Sequence, residues 1–596
     1  MCKIHKLFTL NLLIANKMIS NNLICIQNIL FPHKTFGSCG FKYMGSNLAS
    51  HSEDEIVIFS GGGIYFDSYY NALSLPVWKE QCGLNRIVFC AKGKGKAVVK
   101  LFVATIGIDY ELATKTVEFT ENEKIIFEYE LSKIEHNGLL YITISPMEDK
   151  VFFTGGGWYT PDKPKREVVL GISVTHFNRK EYVLPAIQRV KKNILDNPEF
   201  KNKILFTVVD NSKNITNEEA SGVNIIPNEN TGGSGGFMRG LLHYENDTNA
   251  THVLFMDDDA SCETESITRA YWILSYALKD NSVVSGSLFM DDRPDFLIEK
   301  GAQFDAICKP NWHNYNMADR HSMLVSELGY HPQANYGAWW FFAFPINYVK
   351  NYTFPFFVRG DDIFFGISNN FNYISPIGIA CYGESFSTKS SPLNLYLDTR
   401  NHIINSFYLG IPVKKILKTY KLFYLDALYS HKYETVLAIR LALQHVLGNI
   451  DFWFNNYDLA DVRKEINSFV KVERFHDVNL DELKPIFSYK RRKKIIKKIS
   501  FNGLLLPMKN KIAYQDFNYC ANYDHIFRYK SILYYKPNNK EGFVVQVSRI
   551  KFFKLLFGLY IDMYKMRSNY QSNVIKYKNN IGKLTSKEFW TKVLKL

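Results

Sequence analysis

The residue pattern predicts an α/β chain, in which a doubly wound sheet domain follows an all-β domain and precedes a helical one. Three observations carry this. Short β-rich runs separated by turn residues fill positions 55–159, strand-like and helix-like segments alternate from 168 to about 260, and helical apolar spacing dominates after 401.

At 596 residues the chain is too long for one core, so several domains are expected. A composition of 46% hydrophobic and 22% charged residues is globular and excludes a disordered chain. The formal charge of +14 implies anionic company, whether nucleotide phosphates, lipid head groups or nucleic acid. Nine cysteines are scattered without a CxxC pair, which reads as a reduced, cytoplasmic protein rather than a disulfide framework or zinc site. The apolar stretch 8–31 is interrupted by Asn11, Asn16, Lys17, Asn21, Asn22, Gln27 and Asn28. It is read neither as a membrane span nor as a signal-peptide core, so any membrane contact is expected to be peripheral, on the inner face of the cell membrane.

Residues 1–50 have no clear period and are read as a leader or poorly ordered arm. The domain at 51–165 is read as a β-sandwich, with strands at 56–59, 86–89, 96–103, 124–129 and 139–144. Two similar phrases, Ser60-Gly61-Gly62-Gly63-Ile64-Tyr65 and Thr154-Gly155-Gly156-Gly157-Trp158-Tyr159, read as tight turns. The Pro/Lys-rich segment 161–166 is a linker. Beyond it, from 166 to 410, strands at 168–175, 204–209, 223–227 and 253–256 alternate with helices, as in a Rossmann-like sheet. Residues 411–596 read as a basic helical domain.

Strand-end loops hold the candidate chemistry. Asp257, Asp258 and Asp259 follow the apolar run Val253-Leu254-Phe255-Met256. Carboxylates at the C-terminal edge of such a sheet lie where ligands bind, and oxygen ligands suit Mg²⁺ or Mn²⁺; the competing reading is an acidic cap on a helix starting near Glu263. Asp210 ends the second strand and can accept hydrogen bonds from a base or ribose. The glycines of 232–236 open a helix whose N-terminus favours negative charge, but the loop fits neither the Walker A nor the dinucleotide pattern. Trp339 and Trp340 lie in a dense aromatic stretch, read as a strand, which would point them to opposite faces, one into the core and one along a sugar-binding cleft; the competing reading packs both in the core. Asp361 and Asp362 follow Gly360 and open a helix-like run, which suits a general base or a helix N-terminal pair. The basic run 491–498 and the apolar-basic segment 551–567 suit either an anionic membrane surface or solvated helix faces, and no nucleic-acid-binding fold accompanies them.

With these residues together, the chain resembles the bacterial galactofuranosyltransferases that polymerise galactan. The resemblance runs from about 55 to 401, and rests on the Gly-Gly-Ser-Gly-Gly-Phe loop at 232–237, Phe-Met-Asp-Asp-Asp at 255–259, Trp339-Trp340 with Asp361-Asp362, and Gly156-Gly157-Trp158-Tyr159. It implies an inverting, metal-dependent GT-A catalytic domain with an N-terminal β-sandwich and C-terminal helices. By the same resemblance Thr175, Phe177, Arg179, Asp210 and Asn230 border UDP, with Gly232, Gly233 and Asp258 counted among the nucleotide-binding residues. Asp257 and Asp259 hold Mn²⁺ or Mg²⁺, Asp362 is the catalytic base, Asp361 fixes an acceptor hydroxyl, and Trp339 and Trp340 form the acceptor platform. The implied partners are UDP-galactofuranose and a glycan or glycolipid acceptor, with an anionic membrane surface and a homo-oligomer also allowed. One departure stands out: where the family carries a metal-binding histidine, the run 379–386 has Gly383, so either Glu384, His402 or water completes the coordination or metal binding is weaker. The alternatives are another donor, such as UDP-galactopyranose or a dTDP-rhamnose-like sugar, or a non-catalytic glycan-binding or membrane scaffold.

Overall fold

The computed structural model describes residues 23–32, 40–259, 261–330, 333–384, 389–488, 490–517 and 521–596. Most of the expected arm, at 1–22 and 33–39, lies outside the described residues, as do Ala260, Ser385, Phe386 and Cys520. The described parts of that arm pair into the first sheet: Ile24–Asn28 lies against Lys150–Thr160, and Gly45–His51 against Ile56–Tyr65.

This first sheet is rolled into two faces. The strand Arg86–Ala104 takes in both runs expected at 86–89 and 96–103, and pairs along its length with Lys124–Glu130, Lys150–Thr160, Leu139–Pro146 and Asp109–Phe119. Its register shifts at Phe89/Cys90 and again at Lys92/Gly93, bulges that bend it from one face to the other. The two glycine phrases therefore lie inside strands and not at turns. A side chain at Gly156 would place Cβ 2.6 Å from the Cys90 carbonyl oxygen, so glycine is what permits the strands to meet.

The second domain holds the strands β1 (Leu170–His176), β2 (Ile204–Asp210), β3 (Asn224–Pro227), β4 (His252–Asp257), β5 (Ser282–Ser285), β6 (Phe342–Pro345) and β7 (Asn372–Ile374). They form one sheet of order β3-β2-β1-β4-β6-β5-β7, in which only β6 runs antiparallel to its neighbours. Helices α1 (Lys180–Val190), α2 (Gly232–Asp247), α3 (Thr264–Tyr276), α4 (Asp361–Ser368) and α5 (Pro392–Leu409) belong to the same domain. The central strand β4 is buried along His252-Val253-Leu254-Phe255-Met256, as expected of a strand covered on both faces, and Asp257 is its first residue to emerge. In register, Thr175 sits opposite Asp257 and His176 opposite Asp210, which gathers the strand-end residues on one edge.

The C-terminal region contains the helices Val413–Tyr429, Tyr433–Leu447 and Ala460–Phe469, in keeping with the helical spacing expected after 401. It also contains an unanticipated four-stranded sheet of Lys509–Asp516, Tyr529–Lys536, Glu541–Gln546 and His476–Asp477. Among the described residues, no helix is long and apolar enough to cross a membrane.

Candidate active site

The Asp triplet is separated from the next helix. Asp258 and Asp259 form a turn after β4, and α3 starts at Thr264 with Glu263 at its N-cap and no side-chain capping bond. The helix-cap reading of the triplet is therefore overturned. Each carboxylate has a different setting. Asp257 is driven well above the usual carboxylate range, first by burial and then by the nearby charges of Asp259, Asp258 and Asp361. Asp258 accepts from the Phe177 backbone N–H at 3.2 Å, lies 3.3 Å from His176 Nδ1 and 3.4 Å from Arg179 Nη1. Asp259 is bound by the Arg179 guanidinium and lies 3.8 Å from Lys389 Nζ, which also reaches Glu384 at 3.3 Å.

Asp210 is committed to its own loop. One carboxylate oxygen accepts from Ser212 N and Oγ, the other from Asn214 N and Ile215 N at 2.8 and 2.9 Å. Burial pushes this carboxyl up, but the backbone donors outweigh it and hold the group below its usual range. Asn230 accepts from Gly232 N at 3.1 Å, which fixes the entry to α2. Thr175 Oγ1 is buried beneath that helix without a partner among the described residues, where Gly236 leaves room for it. Phe177 and Arg179 stay partly open to solvent at the rim.

Gly232 joins the two halves of the site. It sits at φ +72°, and an added Cβ would stand 2.1 Å from the Phe357 carbonyl oxygen. Two residues on, Ser234 donates through its backbone N–H to that carbonyl and through its hydroxyl to Asp361 Oδ2 at 2.8 Å. The glycine-opened helix thus grips the segment that delivers the second acidic pair. Replacing Gly232 with alanine is expected to cost about 1–3 kcal/mol from the left-handed backbone alone, with the clash added. Thermal melting and initial-rate assays check this: a lower melting temperature and a larger loss of activity are expected, and a variant that matches the parent in both would contradict the account.

Asp361 and Asp362 open α4 behind a strained approach. Phe357, Arg359 and Gly360 all have positive φ, an unusual cluster for two non-glycine residues. Helix α5 holds this approach by its carbonyls: Arg400 donates to Phe356, Asn401 to Val358 and Arg359, and Asn405 to Gly360 at 3.1 Å. Burial raises both acids above the usual range. For Asp361 the Ser234 hydroxyl opposes the rise, whereas for Asp362 the charge of Asp361 adds to it.

Sequence reasoning missed the buried polar group around Asp362. Glu299 is pushed up to about 8, by burial and then by the charge of Asp362. Cys308 is also raised by burial and by Asp362, and its sulfur lies 3.5 Å from His402 Nε2. His402 Nδ1 contacts the Asp398 carbonyl at 2.6 Å, which requires the proton on that nitrogen. Both ring nitrogens of His402 are thus engaged, Nε2 by Cys308 and Nδ1 by the Asp398 carbonyl. Glu299 ends a three-residue strand and His402 lies within α5, far apart in the chain, so there is no local spacing to read.

The two tryptophans correct a sequence expectation. They lie in a turn ahead of β6, not on a strand, and are only 4% and 8% exposed. Trp340 donates to the Gly286 carbonyl at 3.0 Å. Trp339 packs edge-on against Phe237, Phe255 and Phe365, and its indole N–H is buried without a partner among the described residues.

Two family models match this architecture, Galactofuranosyltransferase 2 N-terminal over residues 42–161 and Glycosyl transferase family 2 over 172–345. The chain is 22% identical over 436 residues to the galactofuranosyltransferase GlfT2 of Mycolicibacterium smegmatis, covering 67% of each protein. It is 21% identical over 382 residues to GlfT2 of Mycobacterium tuberculosis, covering 57% of this chain and 58% of that relative. A solved mannosyltransferase from Pyrobaculum calidifontis, in complex with GDP-Man and Mn²⁺, aligns with 52% of this chain and 82% of its own at 14% identity and a TM-score of 0.27. The chain is therefore an enzyme, a glycosyltransferase of GT-A fold. Within that class it is similar to the family 2 galactofuranosyltransferases.

Proposed function

We propose that this glycosyltransferase moves galactofuranose from UDP-galactofuranose to a hydroxyl of a growing cell-surface glycan, with inversion at the anomeric carbon. The observation that carries the mechanism is the link from the α2 N-terminus through Ser234 to the buried Asp361–Asp362 pair, within electrostatic reach of Asp257. The choice of donor rests on similarity to the two mycobacterial galactofuranosyltransferases.

In this reading Asp362 takes the proton of the acceptor hydroxyl as its oxygen attacks the anomeric carbon. The bond from that carbon to the diphosphate breaks and UDP leaves with the electron pair, so an α-linked donor gives a β-linked product. Asp361 stays anchored on Ser234 and orients the acceptor. Arg179, held across Asp258 and Asp259, and the N-terminus of α2 place positive charge on the nucleotide side. Glu299 lies within electrostatic reach of the base, and so does Cys308, which His402 contacts; these supply further acceptor contacts. Trp339 brings an unpartnered indole N–H, and Trp340 supports it from the core.

The strand-end carboxylates fit a hard divalent cation. Asp257 is buried among like charges, a crowding that Mn²⁺ or Mg²⁺ would relieve, and oxygen is the preferred donor. Among the described residues no group of three or more His, Cys, Asp or Glu side chains converges to hold a metal. Asp257 and Asp259 would therefore share the cation with diphosphate oxygens and water; when bound, it neutralises charge on the departing diphosphate. Turnover of a panel of nucleotide sugars, with the product weighed by mass spectrometry, tests the donor.

A further inference from the structure

Two consecutive residues of the N-terminal domain reach into the catalytic domain behind the turn that carries Asp258 and Asp259. Lys42 ends the short helix Gly40–Lys42, and its side chain is fully buried. Its ammonium donates to the Tyr382 hydroxyl at 2.8 Å and to the Pro294 carbonyl at 2.5 Å, and lies 3.8 Å from Asp295. It also stands 4.0 Å from the ring centre of Phe289 and 4.5 Å from that of Tyr382, and these two rings stack on each other. Next in sequence, Tyr43 donates its hydroxyl to Glu263 at 2.5 Å. Its ring stacks on Tyr70, whose own hydroxyl lies 2.9 Å from that of Tyr382.

These contacts fall on both sides of the acidic turn. Tyr382 belongs to the strand Ala380–Gly383, which pairs with Ser261–Cys262 so that Ser261 stands opposite Tyr382. The Ser261 N–H in turn donates to the Asp259 carbonyl at 3.2 Å. Glu263, at the N-cap of α3, closes the same segment. Lys42 therefore fixes the strand beside the turn, and Tyr43 fixes the chain that leaves it. Joining two domains does not require an ammonium. Tyr69, Met317 and Leu324 already pack together across this interface without the cost of burying a charge. A buried cation is costly unless acceptors and ring faces surround it, and what this cage returns is a hydrogen bond aimed at one hydroxyl.

We propose that Lys42 and Tyr43 are positioning residues for the nucleotide edge, so that the affinity of the catalytic domain for a metal-bound nucleotide is set in part by the N-terminal domain. Neither residue touches substrate. They act through Tyr382 and Glu263 on the place of Asp259, which Arg179 holds from the other side. The inference rests on the reading that Asp257 and Asp259 share a divalent cation with the diphosphate.

Calorimetric titration of UDP into the full-length protein, with and without Mn²⁺, tests this apart from turnover. Tyr382→Phe and Tyr43→Phe each remove one oxygen and keep the ring, and Lys42→Met keeps the stem and removes the charge. Each is expected to weaken UDP binding in Mn²⁺ by about fivefold or more and to leave binding without Mn²⁺ unchanged. Lys42→Met combined with Tyr382→Phe should lose no more than Lys42→Met alone, because both delete the same hydrogen bond. A role in domain joining alone would lower the melting temperature and leave both affinities as they are, or lower the two together; either result overturns the proposal. Should Lys42→Met not fold, the two Phe variants decide. A parent that binds UDP equally with and without Mn²⁺ overturns the cation reading along with this one, whereas a metal-dependent parent matched by both Phe variants overturns this one alone.

Discussion

Asp362→Asn is expected to lower kcat for sugar transfer by roughly 10²–10⁴ and to leave the donor KM unchanged, because the amide keeps the shape of the side chain and loses the base. The same group sets the acid limb of the pH profile. Burial raises the Asp362 carboxyl, and the neighbouring Asp361 charge raises it further, so the proton stays on at pH values where an ordinary carboxyl is ionised. The competent carboxylate appears only above that raised value. Transfer should therefore fall, on acidification, at a pH above the ordinary carboxylate range. Asp361→Asn removes the like charge and should move the limb to lower pH, beyond any loss of rate from the missing contact with Ser234. Rate–pH profiles of the parent and both variants check this; a limb that stays put or moves upward in Asp361→Asn would contradict the charge argument.

The second large effect concerns Asp257. Its carboxyl is crowded by Asp258, Asp259 and Asp361, a crowding that the proposed divalent cation would relieve. Titration of UDP by calorimetry should give an affinity at least about tenfold higher with Mn²⁺ than without it, and Asp257→Ala should abolish the difference. Burial and like charges already disfavour this carboxylate in the fold, so the variant is expected to melt no lower than the parent. Equal metal dependence in the two proteins would remove Asp257 from the cation site.

Much of the site was legible in sequence because its residues end strands. The run from Val253 to Met256 had to be a covered strand, and carboxylates immediately after it had to emerge at the sheet edge, as the register of Thr175 with Asp257 bears out. The order of the three regions followed from their periods for the same reason. What resisted reading depends on contacts between distant segments. Arg400, Asn401 and Asn405 look like ordinary helix residues, and only the folded chain sets them against the carbonyls of 356–360. The strand Arg86–Ala104 read as two because glycines and lysines at its centre mimic a turn, whereas bulges there bend a single strand. The small C-terminal sheet went unseen beside the basic run, although Tyr529–Lys536 and Glu541–Gln546, joined across a Pro537-Asn538-Asn539 turn, have the residues of a hairpin. The tryptophans misled through their neighbours: a β-rich composition predicted a strand where the chain turns.

Donor choice is the centre of this account, and one assay reaches it directly. The full-length protein is incubated with Mn²⁺, a galactofuranoside acceptor and, in separate reactions, UDP-galactofuranose, UDP-galactopyranose and a dTDP-rhamnose-like sugar, and both nucleotide release and acceptor mass are followed. The account predicts UDP release and an acceptor heavier by one hexose with UDP-galactofuranose alone. Transfer from one of the other donors, or no release from any of them, would contradict it.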